Sequence, residues 1–458
     1  MTAVAISYPP LESTKGQPFL SQNRQFQWTK TNDVIFPVIP ASMATLLKSK
    51  GYQVYWDDAI SENISYQTWL NRLIQRSPDF VFMESKTPVI KKHWQIIKDV
   101  KKKLPKTKVI LMGDHVTALP NESYQNSPVD KVLIGGNYDF LALEYLTGQK
   151  IKPDLETLPL IDRQLCQWQN YAYRNTNFKC KPGAYTMFGR DCWWGRCTFC
   201  SWAALFPGNH YQVVSPLKAI EEIQLLQHLG VKEVFDDSGT FPVGEWLEQF
   251  CRLMIKSGLN KKIQLGANMR FGALSQTEFN LMKKAGFRFL LFGLESANQT
   301  TLNKINKNIK VDNVIPTLTM AQKAGISSHI TIMVGYPWEN KKDLNKTLAF
   351  CRSIFRQGLV ASMQATIIVP YPGTPLFNYC RKNNLLTTSN WNKYDMGQPV
   401  IKTKVSADYL KQSVRNLFKG IITPRFIFNQ ITSLKSWADF QHLLFYTIKY
   451  FQKLNDFR

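Results

Sequence analysis

The feature that most constrains this chain is a strand–helix alternation that runs twice along it, on two scales. In the first series, short apolar runs at Val4–Ser7, Gln53–Trp56, Phe80–Met83, Lys108–Met112 and Lys131–Ile134 alternate with amphipathic stretches near Ala41–Lys50, Tyr66–Arg76, Lys91–Lys103 and Asp139–Leu146. Alternation of this kind implies a doubly wound parallel α/β sheet, Rossmann- or flavodoxin-like. Ligands of such sheets sit beyond the carboxyl ends of the strands. Those ends carry Tyr8, Asp57, Glu84, Ser85, Gly113, Asp114, His115, Gly135 and Gly136, and glycine there lets backbone approach a large ligand closely.

The second series predicts strands at Ala184–Phe188, Glu233–Asp236, Lys262–Gly266, Phe287–Phe292, His329–Val334 and Met363–Val369. Helices fit near Pro216–Leu229, Gly244–Lys256, Gln276–Lys284, Val311–Lys323 and Lys341–Arg356. Six βα units make a partial (βα)6 barrel, whose site is expected at the carboxyl ends of its strands. Residues 151–182, with Pro153, Pro159 and Pro182, read as a linker. The expected organisation is therefore an α/β domain over 1–150, the linker, a partial barrel over 183–383 and a C-terminal helical region over 384–458. The last includes an amphipathic stretch, Phe440–Phe451, suited to packing on the barrel or to peripheral membrane contact.

Apolar residues make up 44% of the 458, enough for real cores. No apolar run is long enough to span a bilayer, and Met1–Pro10 lacks a basic flank before an apolar core, so a cytoplasmic protein is expected. The formal charge is +24. Its densest cluster, Lys91–Lys108, puts Trp94, Ile97 and Val100 on one side of a helix and most lysines on the other, which reads as a solvated face. Because the surplus is spread along the whole chain, nucleic acid is not the expected partner.

Directly after the first barrel strand stands Cys192-Trp193-Trp194-Gly195-Arg196-Cys197-Thr198-Phe199-Cys200. Three thiolates within nine residues suit one side of a 4Fe–4S cluster and leave one iron open, whereas electron-transfer clusters usually have four cysteines. Gly195 permits a tight loop, and Arg190 and Arg196 offset thiolate charge. The alternative is a zinc knuckle on a non-catalytic scaffold, with Cys180 or His210 as fourth ligand. Cys166, Cys251, Cys351 and Cys380 are isolated and read as buried thiols.

The loop is followed in order by Phe292–Ala297 (Phe-Gly-Leu-Glu-Ser-Ala), Ile332–Glu339 and Val369–Phe377 (Val-Pro-Tyr-Pro-Gly-Thr-Pro-Leu-Phe). Together these resemble the radical S-adenosylmethionine superfamily, in the branch with an N-terminal cobalamin-binding-type domain. That branch includes the anaerobic magnesium-protoporphyrin ester cyclase and hopanoid-modifying enzymes. The resemblance covers about residues 1–380. It implies that Cys192, Cys197 and Cys200 ligate the cluster, that Phe199 lies beside the adenine, and that Asp236, Asp237 and Ser238 stand where relatives contact the methionyl amino group. Glu295 and Ser296 match the element near the ribose and carboxylate, Val334 and Gly335 match the strand end near the adenine, and Arg270 is assigned to the methionyl carboxylate.

The implied activity is formation of a 5′-deoxyadenosyl radical, then cobalamin-dependent methyl transfer to an unactivated carbon of a small molecule or lipid. The alternative is a cobalamin-independent oxidative cyclisation or ring rearrangement. A flavodoxin or ferredoxin would supply electrons. Two departures stand out. The family spaces its first two cysteines by three residues and this chain by four. The Asp-x-His-x-x-Gly pattern that supplies a histidine to cobalt is absent, because Asp114 and His115 are adjacent, so His115 is expected to be a loop residue. A tRNA-methylthiolating enzyme is disfavoured, since residues 1–165 contain no cysteine. Trp193, Trp194, Trp202 and Trp338 are the expected pocket aromatics.

Overall fold

The computed structural model describes residues 1–421 apart from 21–25, 32, 176 and 209, and beyond them only residues 440, 443, 444 and 447. Its first sheet has five parallel strands: β1 (Ala3–Tyr8), β2 (Gln53–Asp58), β3 (Phe80–Glu84), β4 (Lys108–Met112) and β5 (Lys131–Val132). Their spatial order is β2-β1-β3-β4-β5, the flavodoxin-like arrangement, whose winding reverses between β1 and β3. Helices α1 (Val38–Ser49), α2 (Tyr66–Arg76), α3 (Ile90–Lys103) and α4 (Tyr138–Thr147) cover its faces. Local sequence explains their edges: the Ser65 hydroxyl accepts from Thr68 N–H at the start of α2. In α3 the buried side is Ile90, His93, Trp94, Ile96, Ile97 and Val100, so the lysines face outward as expected.

The second sheet holds six parallel strands in chain order: β6 (Gly183–Thr186), β7 (Glu233–Asp236), β8 (Gln264–Met269), β9 (Phe287–Glu295), β10 (Ser327–Val334) and β11 (Ser362–Ile367). Sequential neighbours joined by helices, with β6 and β11 at open edges, make the partial barrel. Helices α5 (Pro216–His228), α6 (Glu245–Lys256), α7 (Gln276–Lys284), α8 (Val314–Lys323) and α9 (Lys341–Arg356) cover it. Ser275 and Glu278 form a reciprocal cap at the start of α7, and Asn340 with Asp343 does the same for α9. One continuous apolar core runs from Val4 to Phe418 through both sheets.

Two parts differ from expectation. Residues 151–182 are not a loose connector: Arg163, Cys166, Trp168 and Tyr171 are buried, and Tyr171 donates to Asp58 of the first sheet. The region after 384 is not helical from its start. Residues 384–406 form an irregular strap held by a Leu386–Ile401 bridge, and the helix α10 (Ala407–Ile421) begins only beyond it. The strap packs on the first sheet's domain: Trp391 Nε1 donates to Glu122 Oε2 at 2.9 Å. Phe440 and Leu444 are exposed. The rest of the expected tail, to Phe451, lies outside the described residues. Among the described residues no helix is long and apolar enough to cross a membrane.

Candidate functional site

The cysteine loop leaves the carboxyl end of β6, and a short antiparallel pairing of Gly189–Arg190 with Gln212–Val213 fixes its entry. The end of β7 braces it. Asp236 Oδ2 accepts from Phe188 N–H at 2.8 Å and from Thr186 Oγ1 at 3.3 Å, while Ser238 Oγ accepts from Gly189 N–H at 2.8 Å. Burial pushes the Asp236 carboxyl up to about 6 against those hydrogen bonds. Asp236 and Ser238 thus position the loop. Gly239 is required by close approach, since a Cβ there would lie 2.7 Å from Cys192 Cβ. Thr240 Oγ1 lies 3.3 Å from Cys192 Sγ.

Cys192, Cys197 and Cys200 are half-buried. Burial raises the Cys197 thiol above its ordinary value, and the cations of Lys307 and Arg270 oppose that rise in part. Among the described residues no three His, Cys, Asp or Glu side chains close on a point where a single ion would sit. A zinc knuckle needs four such groups around one ion. A cubane takes its three cysteines on three separate irons, so they face one cluster without meeting at one ion. Cys180 lies at the other end of the strands, where its N–H donates to Glu233 Oε2 at the start of β7. Burial pushes Cys251 and Cys351 up to about 12 and Cys380 up to about 11, in keeping with inert core thiols.

Glu295 ends β9 in a left-handed conformation, φ +67°, and Lys307 Nζ donates to its Oε1 at 2.9 Å. Both are buried. The same ammonium stands 5.8 Å from the Phe199 ring centroid. Phe199, Glu295, Lys307, Arg270 and Cys197 therefore share one corner of the barrel mouth. Tyr336 adds a buried hydroxyl with no hydrogen-bond partner among the described residues, within electrostatic reach of Glu295 and Cys197. An orphaned polar atom beside a charged pair fits a polar ligand such as S-adenosylmethionine.

Other expected site residues are otherwise engaged. Ser296 Oγ donates to Glu339 Oε1 at 3.0 Å. The open side of Gly335 meets Leu410 of α10, next to Val334, which ends β10. Arg270 donates to the Lys307 carbonyl at 2.6 Å. Trp202 stacks on Phe206 at 5.1 Å, and Trp338 donates to Thr301 Oγ1, so these indoles are packing. A groove of about 600 Å³ is lined by Thr387, Ser389 and Trp391 of the strap, not by the cysteine loop. Lys307 and Tyr336 were missed by sequence reading. Lys307 carried no signal, because it lies in no periodic element; Tyr336 stood inside the quoted Ile332–Glu339 segment.

At the first sheet's carboxyl edge, Tyr8 donates to Glu84 Oε2 at 2.8 Å, and Lys86, also missed, lies 3.6 Å from Glu84 and 3.5 Å from Asp114. Burial raises Glu84, with Lys86 opposing. Asp57 faces α2 instead, paired with Arg72 at 2.6 Å and Arg76 at 3.3 Å. Ser85 Oγ meets His93 Nδ1 at 2.9 Å. His115 was expected in a loop but lies in a short helix, Asp114–Ala118, where it is buried with Nδ1 3.2 Å from Thr87 Oγ1 and Nε2 3.4 Å from Glu122 Oε2. Gly113, φ +129°, sits against the Ser85 carbonyl; the Phe206 ring lies over Gly136 where a Cβ would be, and Gly135 N–H donates to Thr117. Tyr138 Oη is buried here without a partner.

Residues 186–351 match the radical SAM superfamily. The chain carries a radical SAM domain. It is similar to an uncharacterised methyltransferase of Pyrococcus horikoshii, 26% identical over 80% of this chain and 83% of that protein. The anaerobic magnesium-protoporphyrin IX monomethyl ester cyclase of Cereibacter sphaeroides is 24% identical, over 86% of this chain and 68% of its own. In fold, the chain resembles the cobalamin-dependent S-adenosylmethionine radical enzyme OxsB, solved with aqua-cobalamin and S-adenosylmethionine, with a TM-score of 0.66 at 12% identity, covering 97% of this chain and 72% of that one. A radical SAM domain implies an enzyme with a 4Fe–4S cluster and S-adenosylmethionine, and the fold resembles that of a solved enzyme that binds cobalamin.

Proposed function

We propose that Cys192, Cys197 and Cys200 hold the 4Fe–4S cluster and that the enzyme transfers a methyl group to an unactivated carbon of a small molecule or lipid. The observation that carries this reading is the cationic, half-buried cysteine loop at the carboxyl end of β6, facing the Lys307–Glu295 pair. When bound, the cluster supplies the electron that cleaves S-adenosylmethionine to methionine and a 5′-deoxyadenosyl radical, and cobalamin supplies the methyl group. The chain's own residues bind, orient and exclude water. Lys307 and Arg270 stabilise thiolate charge, Asp236 and Ser238 hold the loop entry, and Phe199 gives an aromatic face beside Lys307. Reconstitution under anaerobic conditions, with dithionite and S-adenosylmethionine, is expected to yield 5′-deoxyadenosine. No product beside a competent control enzyme overturns the reading.

Cobalamin would lie against Tyr8, Glu84, Ser85, Gly113, Asp114, Gly135 and Gly136, where buried polar groups, including the unpartnered Tyr138 hydroxyl, fit a large polar ligand. His115 would not ligate it, since the ring is fully buried, with Nδ1 3.2 Å from Thr87 Oγ1 and Nε2 3.4 Å from Glu122 Oε2. One observation favours a second reading, a cobalamin-independent oxidative cyclisation or rearrangement: the Phe206 ring fills the space over Gly136. Incubation with hydroxocobalamin, desalting and a visible spectrum separates the two. A retained corrinoid supports methyl transfer, and loss of all corrinoid with deoxyadenosine formation intact supports the second reading.

A further inference from the structure

The four-residue spacer between Cys192 and Cys197 brings two adjacent indoles to one guanidinium. Trp193 Nε1 donates to Phe241 O at 3.1 Å and Trp194 Nε1 to Asn306 O at 2.9 Å, so each ring is pinned to a different barrel loop, after β7 and after β9. Arg270 Cζ stands 5.4 Å from the Trp193 ring centroid and 4.6 Å from that of Trp194. Arg270 follows β8, donates to the Lys307 carbonyl, and is hydrogen-bonded to the Cys197 side chain. Arg196 also lies over Trp194, at 5.3 Å.

An extra residue between two ligands lengthens a loop, and a longer loop is entropically looser unless something holds it. Here the added length is spent on a pair of rings fixed both at their N–H edges and at their faces. A planar, delocalised cation suits that place, because a guanidinium can lie flat on aromatic rings, whereas an ammonium meets a ring face only as a point charge. We propose that Trp193 and Trp194 clamp Arg270 and so set the position of the Cys192–Cys200 loop against β8 and the Lys307–Glu295 pair. Arg270 is then a positioning residue for the loop, with one guanidinium nitrogen committed to the Lys307 carbonyl.

This inference rests on the cysteine loop being the cluster site, and the test keeps the two apart. Hydrogen exchange of the amides between Arg190 and Cys200 is measured in the apo-protein for wild type, Trp194→Phe, Trp194→Ala, Arg270→Lys and Arg270→Gln. Iron content and the electron paramagnetic resonance spectrum of the reduced, reconstituted proteins follow. Trp194→Ala and Arg270→Lys are expected to speed loop exchange about tenfold, the scale of a partly desolvated cation–π contact, and to broaden the cluster spectrum. Trp194→Phe keeps the ring face and is expected to lie between wild type and Trp194→Ala. The double variant Trp194→Ala/Arg270→Gln should be no worse than the more severe single change, as coupled residues are. Arg270→Lys behaving as wild type in exchange and spectrum, or fully additive effects in the double variant, overturns the clamp. Wild type that takes up no iron overturns the cluster reading instead, whatever the exchange data say.

Discussion

Arg190 and Asp139 form a bidentate ion pair that joins the two halves of the molecule: Arg190 NH1 donates to Asp139 Oδ1 at 2.9 Å and NH2 to Oδ2 at 2.5 Å. Both are buried, and Ser42 Oγ also donates to Asp139 at 2.9 Å. Arg190 stands two residues before Cys192, and Asp139 lies in the first turn of α4. The cysteine loop is thus tied to the first domain before it reaches the barrel mouth. Removing one partner leaves a buried charge uncompensated, so Asp139→Asn is expected to cost about 3–5 kcal/mol. Urea unfolding of the apo-protein measures this, and Arg190→Met/Asp139→Leu, which removes both charges, should recover much of the loss.

The Lys307–Glu295 pair predicts a functional loss separable from stability. Lys307→Met leaves Glu295 buried without its cation and removes positive charge beside Cys197. A drop of about 10- to 100-fold in kcat/KM for S-adenosylmethionine is expected, the size of a lost charge-assisted hydrogen bond. Lys307→Arg should recover part of it. Initial rates of 5′-deoxyadenosine formation over a range of S-adenosylmethionine concentrations decide the point.

Iron analysis distinguishes the loop cysteines from the others. Cys197→Ala is expected to lose the about four irons of a three-cysteine cubane, with the far-ultraviolet circular dichroism of both sheets kept. Cys180→Ala, at the amino end of the barrel strands, is expected to keep full iron. Equal iron in both variants would remove the loop from consideration.

Asp58 gives a pH prediction. It is fully buried, accepts from Tyr171 Oη and Ser61 N–H, and desolvation lifts its pKa from 3.8 to about 6. A carboxyl raised on folding holds its proton more tightly in the native state. Its contribution is therefore complete below about pH 4 and is lost as pH rises through 6. The difference of about two units corresponds to about 3 kcal/mol. Urea midpoints between pH 4 and 7 should show a smaller decline with rising pH in Asp58→Asn than in wild type.

Much of the fold was legible from local pattern. Tyr66–Arg76, Lys108–Met112, Glu233–Asp236, Gln276–Lys284 and Lys341–Arg356 have the bounds predicted, because each helix buries one face and starts on its own cap, and the two strands are short runs buried on both faces. The strap over 384–406 was not legible. It was expected to be helical, but Trp391 packs 5.3 Å from His115, in the other domain. Periodicity reports which residues want burial and does not name the surface that buries them.

The same division runs through the site. The sequence alone determined that three thiols stand in one loop after a barrel strand, because nine consecutive residues cannot lie far apart. It also predicted a later strand from Phe287 but ended it at Phe292, and the structure carries it on to Glu295. Only the tertiary structure decided that Lys307, twelve residues on, returns to Glu295, that Asp236 braces the loop, that Asp57 turns to Arg72 and Arg76, and that Arg270 lies on Trp193 and Trp194. Those outcomes depend on how strands stack and loops close. A charged side chain buried by that closure takes whichever counter-charge or ring the fold brings within reach, since leaving it unpaired costs several kcal/mol.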